Sequence, residues 1–496
     1  MKKFHELDIP HSGFYAEGAG ATFFGEYKKE ELYKVVSFGE RHGFKVFSWQ
    51  FPNMTQELAQ ELLPECPKEE LPITRNKNDE EEKLPVYIDF SHPRAKELLA
   101  AQWKDRMDAG IRGSMVDFGD VVPDEAVFYD GRRGDEMHNA YAYQYAKNYR
   151  ELFEQKYGDD HVLYTRGAAP GSQHFACQFG GDQLTSFQGL KYAIAGGLSA
   201  AASGLPFWGV DAGGYDGFPD QETYLRWTEY AAFCPLMRFH GTEPREPWEY
   251  DAFTVKVYRY YTWLRENLRP YIVSVAAEAH KLGIPMMRPL AMMYPEDQEA
   301  TKVWDEYLFG EDLLVAPVSD ETEEREIYFT EGRWISLWNL NDEISGPVQR
   351  SVEVPIDKIP VYIREGSFLP LRLNESLKLG ESMSESETEM ILAVVPQNDS
   401  IVKETLYERS GAKTCCGMEK NGETIQLQIS GRTAELYVML AGIHWKNTEA
   451  IVNGRTLTKV TAREGLYFTE GYLELEEGIL VKINPSAESV IKIQKK

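Results

Sequence analysis

Five times between residues 30 and 240 an amphipathic stretch runs into a short apolar segment. Residues 30–42 precede 44–51, 93–109 precede 114–118, 135–156 precede 162–166, 187–201 precede 205–211, and 222–233 precede 236–240. Apolar recurrence at three and four residues predicts helices, and short, nearly continuous apolar runs predict strands buried on both faces. Such alternation implies a parallel sheet. Functional side-chain types at the strand ends favour a closed barrel, whose C-terminal strand ends share one pocket. Ser91-His-Pro93 reads as an N-cap followed by a first-turn proline, and residues 167–182 read as a loop rich in glycine and small residues.

From Pro285 the texture changes to short alternating segments separated by turn residues, such as 313–318, 333–338 and 360–364. This is the pattern of antiparallel sandwich strands. A chain of 496 residues exceeds one ordinary core. The expected organisation is therefore an α/β (β/α)8 TIM-type barrel over residues 1–283, then β-sandwich domains over 284–371 and 372–496.

The formal charge of -26 repels phosphate backbones and anionic lipid, so neither a nucleic acid nor a membrane partner is expected. Runs such as Asp79-Glu-Glu-Glu-Lys83 read as solvated loops. The five cysteines are odd in number and lack CxxC spacing, which fits a reducing cytoplasm. No apolar signal core opens the sequence, and no apolar run is long enough to span a bilayer. The histidines show no HxxxH or HxH pairing, so no metal or other cofactor is expected.

Gly113-Ser-Met-Val-Asp117-Phe-Gly-Asp120 and Cys177-Gln-Phe-Gly-Gly-Asp182 each place a carboxylate just after an apolar run. Two carboxylates facing across a pocket, about 5 to 7 Å apart, are what retaining glycosidic cleavage needs. An aspartate ending a strand is more often a helix cap or a loop former. Its neighbours favour the catalytic reading here: Arg166 and Asp211 end intervening strands, with Phe179, Trp208, Tyr215 and His240 around the same strand ends. Charged and imidazole groups bind sugar hydroxyls, while aromatic faces cover the apolar side of a pyranose. Asp117-Phe-Gly imitates a kinase tripeptide without its companion motifs, and Gly18-Ala-Gly20 lacks the third glycine of a dinucleotide site.

Asp117-Phe-Gly-Asp120, Met137-His-Asn139, Arg166 with Gly180-Gly-Asp182, Phe207-Trp-Gly-Val-Asp211-Ala-Gly-Gly214, Arg226-Trp227 and Arg238-Phe-His240-Gly241 together resemble glycoside hydrolase family 31. The resemblance covers roughly residues 40 to 370 and implies an α-glucosidase, α-xylosidase or sulfoquinovosidase built on a (β/α)8 barrel with two β-sandwich domains. It implies Asp117 as nucleophile and Asp182 as general acid/base, with Arg166, Asp211 and His240 holding sugar hydroxyls. Asp120 stands where the family usually has Glu, and Phe179 where it has Trp. Tyr215 in place of Phe, with Met115 two residues before the nucleophile, resembles sulfoquinovosidases, whereas residues 240–250 and 283–288 resemble bacterial α-xylosidases.

Against that family pattern the chain begins just ahead of what reads as the third barrel strand. Residues 1–40, including Gly18-Ala-Gly-Ala-Thr-Phe-Phe-Gly25, are turn-rich. The barrel is therefore expected to be incomplete, with the edge beside residues 44–51 open or irregularly filled. Another copy or a companion polypeptide is expected to cover such an edge. The expected partner is a small oligosaccharide or glycoside, with a retaining α-glycosidase as the leading function. A weak or inactive carbohydrate-binding remnant and a transglycosylase are the rivals.

Overall fold

The computed structural model describes residues 2–16, 29–75, 86–384, 389–432 and 434–496. The segments 18–25 and 79–83 singled out above lie outside the described residues. The chain forms two compact units, residues 1–4 with 11–181 and residues 5–10 with 182–496. This division falls between Gly181 and Asp182, inside the segment expected as one domain.

The first unit holds five parallel strands, β1 Gly13–Ala16, β2 Lys45–Gln50, β3 Gly113–Val116, β4 Val162–Thr165 and β5 Cys177–Phe179, in that spatial order. Three helices alternate with them, α1 Lys29–Arg41, α2 Ala95–Ala109 and α3 Gly134–Tyr157. In α1, Leu32 and Val36 lie four residues apart on one buried face, and Gly39 is so close to Val46 that an added Cβ would sit 2.6 Å from its Cγ2. α3 buries Met137, Tyr141, Tyr145, Tyr149 and Phe153 at the same spacing. α2 begins at Ala95 behind Arg94 with no side-chain cap; the expected cap Ser91 lies three residues upstream, its hydroxyl donating to Asp89 Oδ1 at 2.6 Å. β5 adds a strand within the expected loop.

Residues 1–40 also differ from expectation. Gly13 to Ala16 pair with Lys45 to Ser48 in regular parallel register, so the flank of β2 is neither open nor irregular. The signal is weak in the sequence because the strand has only four residues with a single buried one, Ala16.

In the second unit, β6 Trp208–Asp211 and β7 Leu236–Arg238 are parallel, and α4 Phe187–Ala202, α5 Gln221–Ala232, α6 Ala252–Asn267 and α7 Arg269–Leu282 accompany them. Gly283, at φ 73°, ends α7 in the left-handed region that favours glycine. Next comes one six-stranded antiparallel sheet running from Met287–Pro289 to Val361–Arg364, around a core that includes Phe329, Trp334 and Leu314. The expected boundary at 371/372 falls inside the strand Phe368–Leu373, which opens one of two further six-stranded sheets. Alternating residues such as Ile425, Leu427 and Ile429 fill the core of those two sheets.

Candidate functional site

Asp117 follows β3 directly and continues its ladder, the Asp117 N–H donating to the Gln50 carbonyl at 2.7 Å. Its carboxylate is buried and accepts the Phe118 N–H at 2.9 Å and the Trp49 indole Nε1–H at 3.0 Å. Trp49 reaches it because β2 and β3 are paired with Trp49 opposite Met115, and alternate residues of a strand share a face. Met115 is therefore buried on the Asp117 side.

Arg166 follows β4, its Nε 3.6 Å from Asp117 Oδ1 and 3.3 Å from Asp120 Oδ1. The guanidinium lies 4.1 Å from the ring centre of Phe118, a non-glycine residue held at φ 58°. Gly181, at φ 75°, leaves room for this arginine, since an added Cβ would sit 2.9 Å from Arg166 Cδ. Phe179 is buried edge-on to Tyr164, with ring centres 6.0 Å apart. The first unit thus assembles Asp117, Arg166, Met115 and Phe179 at the ends of β3 to β5, and adds Trp49, which sequence reasoning missed. Its signal was the strand parity of residues 44–51.

In the second unit the register of β6 and β7 pairs Asp211 with Arg238. Asp211 is fully buried, with Arg238 Nη2 at 2.5 Å and His240 Nδ1 at 3.9 Å from its Oδ1. Burial pushes the Asp211 carboxyl up from its ordinary range, Arg238 and His240 oppose the rise, and the charge of Asp182 adds to it. Arg238, outside the predicted ligand set, is the direct counter-ion here. Leaving a buried carboxylate without one costs about 3–5 kcal/mol.

Asp182 is exposed and opens a loop stitched to the one after β6: Gln183 O accepts the N–H groups of Tyr215 at 2.8 Å and Asp216 at 3.3 Å, and Thr185 Oγ1 donates to Asp216 O at 2.7 Å. Tyr215 is half-buried, its ring centre 5.2 Å from that of His240. Asp182, Asp211, Tyr215 and His240 are thus one connected group.

Trp208 is the exception. It begins β6 and packs on α4, where a Cβ at Gly197 would lie 2.7 Å from its Nε1. Being three positions from Asp211, it has the opposite strand parity and faces a helix, so its expected role against a sugar is withdrawn.

Among the described residues, no group of three or more His, Cys, Asp or Glu side chains could hold a metal ion. What each group can do is bind hydroxyls through charge-assisted hydrogen bonds, and Asp117 can present a carboxylate oxygen to an electrophilic carbon.

Comparison with known proteins adds to this geometry. Residues 1–275 match the model of the glycosyl hydrolases family 31 TIM-barrel domain, and residues 283–369 that of the family 31 C-terminal domain. The chain is 31% identical over 430 residues to an isomaltosyltransferase of Sporosarcina globispora, covering 82% of this chain and 39% of that protein. It is 32% identical over 298 residues to an α-xylosidase of Saccharolobus solfataricus, covering 58% and 39% respectively. The cycloalternan-forming enzyme from Listeria monocytogenes, solved with a pentasaccharide substrate, aligns with a TM-score of 0.88 at 22% identity, over 100% of this chain and 52% of that one. That last likeness concerns the fold. The chain spans about two fifths of the length of these curated relatives.

Proposed function

Because the chain belongs to glycosyl hydrolase family 31, we propose that it is a retaining α-glycosidase acting on terminal α-linked sugars, with α-xylosides and α-glucosides as the leading substrates. The observation that carries this reading is the Asp117 carboxylate, held at a strand end by the Trp49 indole and the Phe118 N–H beside Arg166. Its oxygen attacks the anomeric carbon while Asp182 gives a proton to the departing glycosidic oxygen, forming a glycosyl ester. Asp182 then takes a proton from water, which opens the ester and regenerates both carboxyl groups. The ion-paired Asp211, with Arg238 and His240, suits the grip on ring hydroxyls.

Tyr215, on the loop after β6, is the residue we assign to a substituent at the sugar's sixth position. Selective loss of sulfoquinovoside cleavage in Tyr215→Phe would favour an anionic sugar, and equal loss on neutral xylosides and glucosides would remove that idea. A second reading, with a sugar in place of water as acceptor, draws on the isomaltosyltransferase, whose similarity extends over 430 residues against 298 for the α-xylosidase. The five free cysteines support a reducing, cytoplasmic setting. The described strand order ends at β1, which supports a second copy or companion chain along that strand, testable by light scattering.

The deciding test is turnover of aryl α-xylosides and α-glucosides, with the first-formed anomer read by NMR. Retention, abolished in Asp117→Ala, is expected. Asp182→Ala should lose about 10²–10⁴-fold on substrates with poor leaving groups and less on activated ones. Inversion, or undiminished turnover by Asp117→Ala, would overturn the assignment.

A further inference from the structure

Arg245 lies in the segment after β7 and is buried, 5% exposed. Its guanidinium is spent on main-chain carbonyls: Nε donates to Gly214 O at 3.0 Å, and Nη2 to Tyr215 O at 3.0 Å and Gly217 O at 2.6 Å. Nη1 donates to Glu243 O at 3.0 Å and Pro244 O at 3.2 Å. One planar fork therefore ties the loop after β6 to the loop after β7. The tie reaches further, because Tyr215 N–H donates to Gln183 O, next to Asp182, and Thr242 N–H donates to Tyr215 O at 2.9 Å.

The loop it holds needs an external tie. Gly213, Gly214 and Gly217 sit at φ 90°, 77° and 87°, and glycines of this kind leave the chain little conformational preference of its own. The approach of the arginine is itself built in at Gly241, where an added Cβ would lie 2.5 Å from Arg245 Nη2 and 2.6 Å from its Cζ. We infer that Arg245 is the positioning residue that holds Tyr215, His240 and the loop of Asp182 in their working arrangement. The inference rests on the glycosidase reading for what that arrangement does. A lysine would not replace it, since three donors on one tetrahedral nitrogen cannot span carbonyls on both loops.

The test uses Arg245→Lys, Arg245→Met and, as a variant that keeps the arginine, Gly241→Ala, which presses on the guanidinium. Two readouts are taken on each variant and on the parent chain: amide hydrogen exchange, and turnover of α-glycosides with poor and with activated leaving groups. Faster exchange is expected at the amides of Tyr215, Asp216 and Thr242 but not in α5. For poor leaving groups, kcat/KM should fall about 100-fold, mostly in kcat, with a smaller loss on activated aryl glycosides. Parent-like exchange and kinetics in Arg245→Lys or Gly241→Ala would overturn the role of Arg245. Inertness of the parent chain toward every α-glycoside would overturn the glycosidase reading instead, while the exchange data still decide the role of the clamp.

Discussion

The indole of Trp49 donates to Asp117 at 3.0 Å, and a hydrogen bond to a charged group contributes about 1.5–3 kcal/mol. Trp49→Phe deletes the donor, so kcat for an α-glycoside should fall about 10- to 100-fold and the thermal transition should drop as well. An unchanged kcat would mean that the indole only fills space. The neighbouring Phe118 holds a left-handed backbone at φ 58° while 40% of it is exposed. Strain of that kind persists where the surroundings impose it, and here the Arg166 guanidinium lies against the Phe118 ring. The φ angle of Phe118 is not legible in Asp117-Phe-Gly, and strand parity puts Trp49 on a face without naming the carboxylate 68 positions away that it serves.

Helices and strands obey local patterns, yet their junctions carry the energetics. On α5, Arg226 and Glu229 are both buried, with Nη1 3.1 Å from Oε2. Arg226 also donates to the carbonyls of Val354, Pro355 and Lys358. Burial therefore outweighs this shared guanidinium and pushes the Glu229 carboxyl up to about 8 from an ordinary 4.5. A carboxyl raised on folding takes up a proton, so its stabilising contribution is complete below about pH 4.5 and lost as pH rises through about 8. The melting temperature should fall over that window, and less steeply in Glu229→Gln; parallel curves would remove the idea. A second element-scale test is Gly113→Ala in β3, where a Cβ would lie 2.2 Å from Val162 O and 2.6 Å from the Phe47 ring. Overpacking of this kind costs about 1–3 kcal/mol, measurable as a lowered urea midpoint, whereas an unchanged midpoint would show that β3 and β4 can part without cost. The order and rough bounds of α1 to α5 and of β2, β3, β4, β6 and β7 were legible from periodicity. β1 and β5, at four and three residues, were too short to repeat a pattern.

At the scale of the whole molecule, the proposed retaining chemistry sets the separation of two carboxyl groups. A crystal structure with a glycoside-like inhibitor should place the Asp117 and Asp182 carboxyl groups about 5–7 Å apart, and a separation near 9 Å would instead fit an inverting enzyme. The charge of -26 should leave turnover of a neutral glycoside nearly independent of salt, because a neutral substrate feels little of that field. A steep salt dependence would point to a charged ligand.

By itself the sequence determined the alternation of helix and parallel strand, the passage to antiparallel sheets after Gly283, and the carboxylates that end the strands, since each depends on spacing within a few residues. Tertiary structure alone decided that Trp49 serves Asp117, that Arg238 neutralises Asp211, that Trp208 turns to a helix, and that Arg245 ties two loops together. Parallel register joins residues far apart in the chain, and a guanidinium bound to main-chain carbonyls has partners that carry no side-chain signature for a sequence to display.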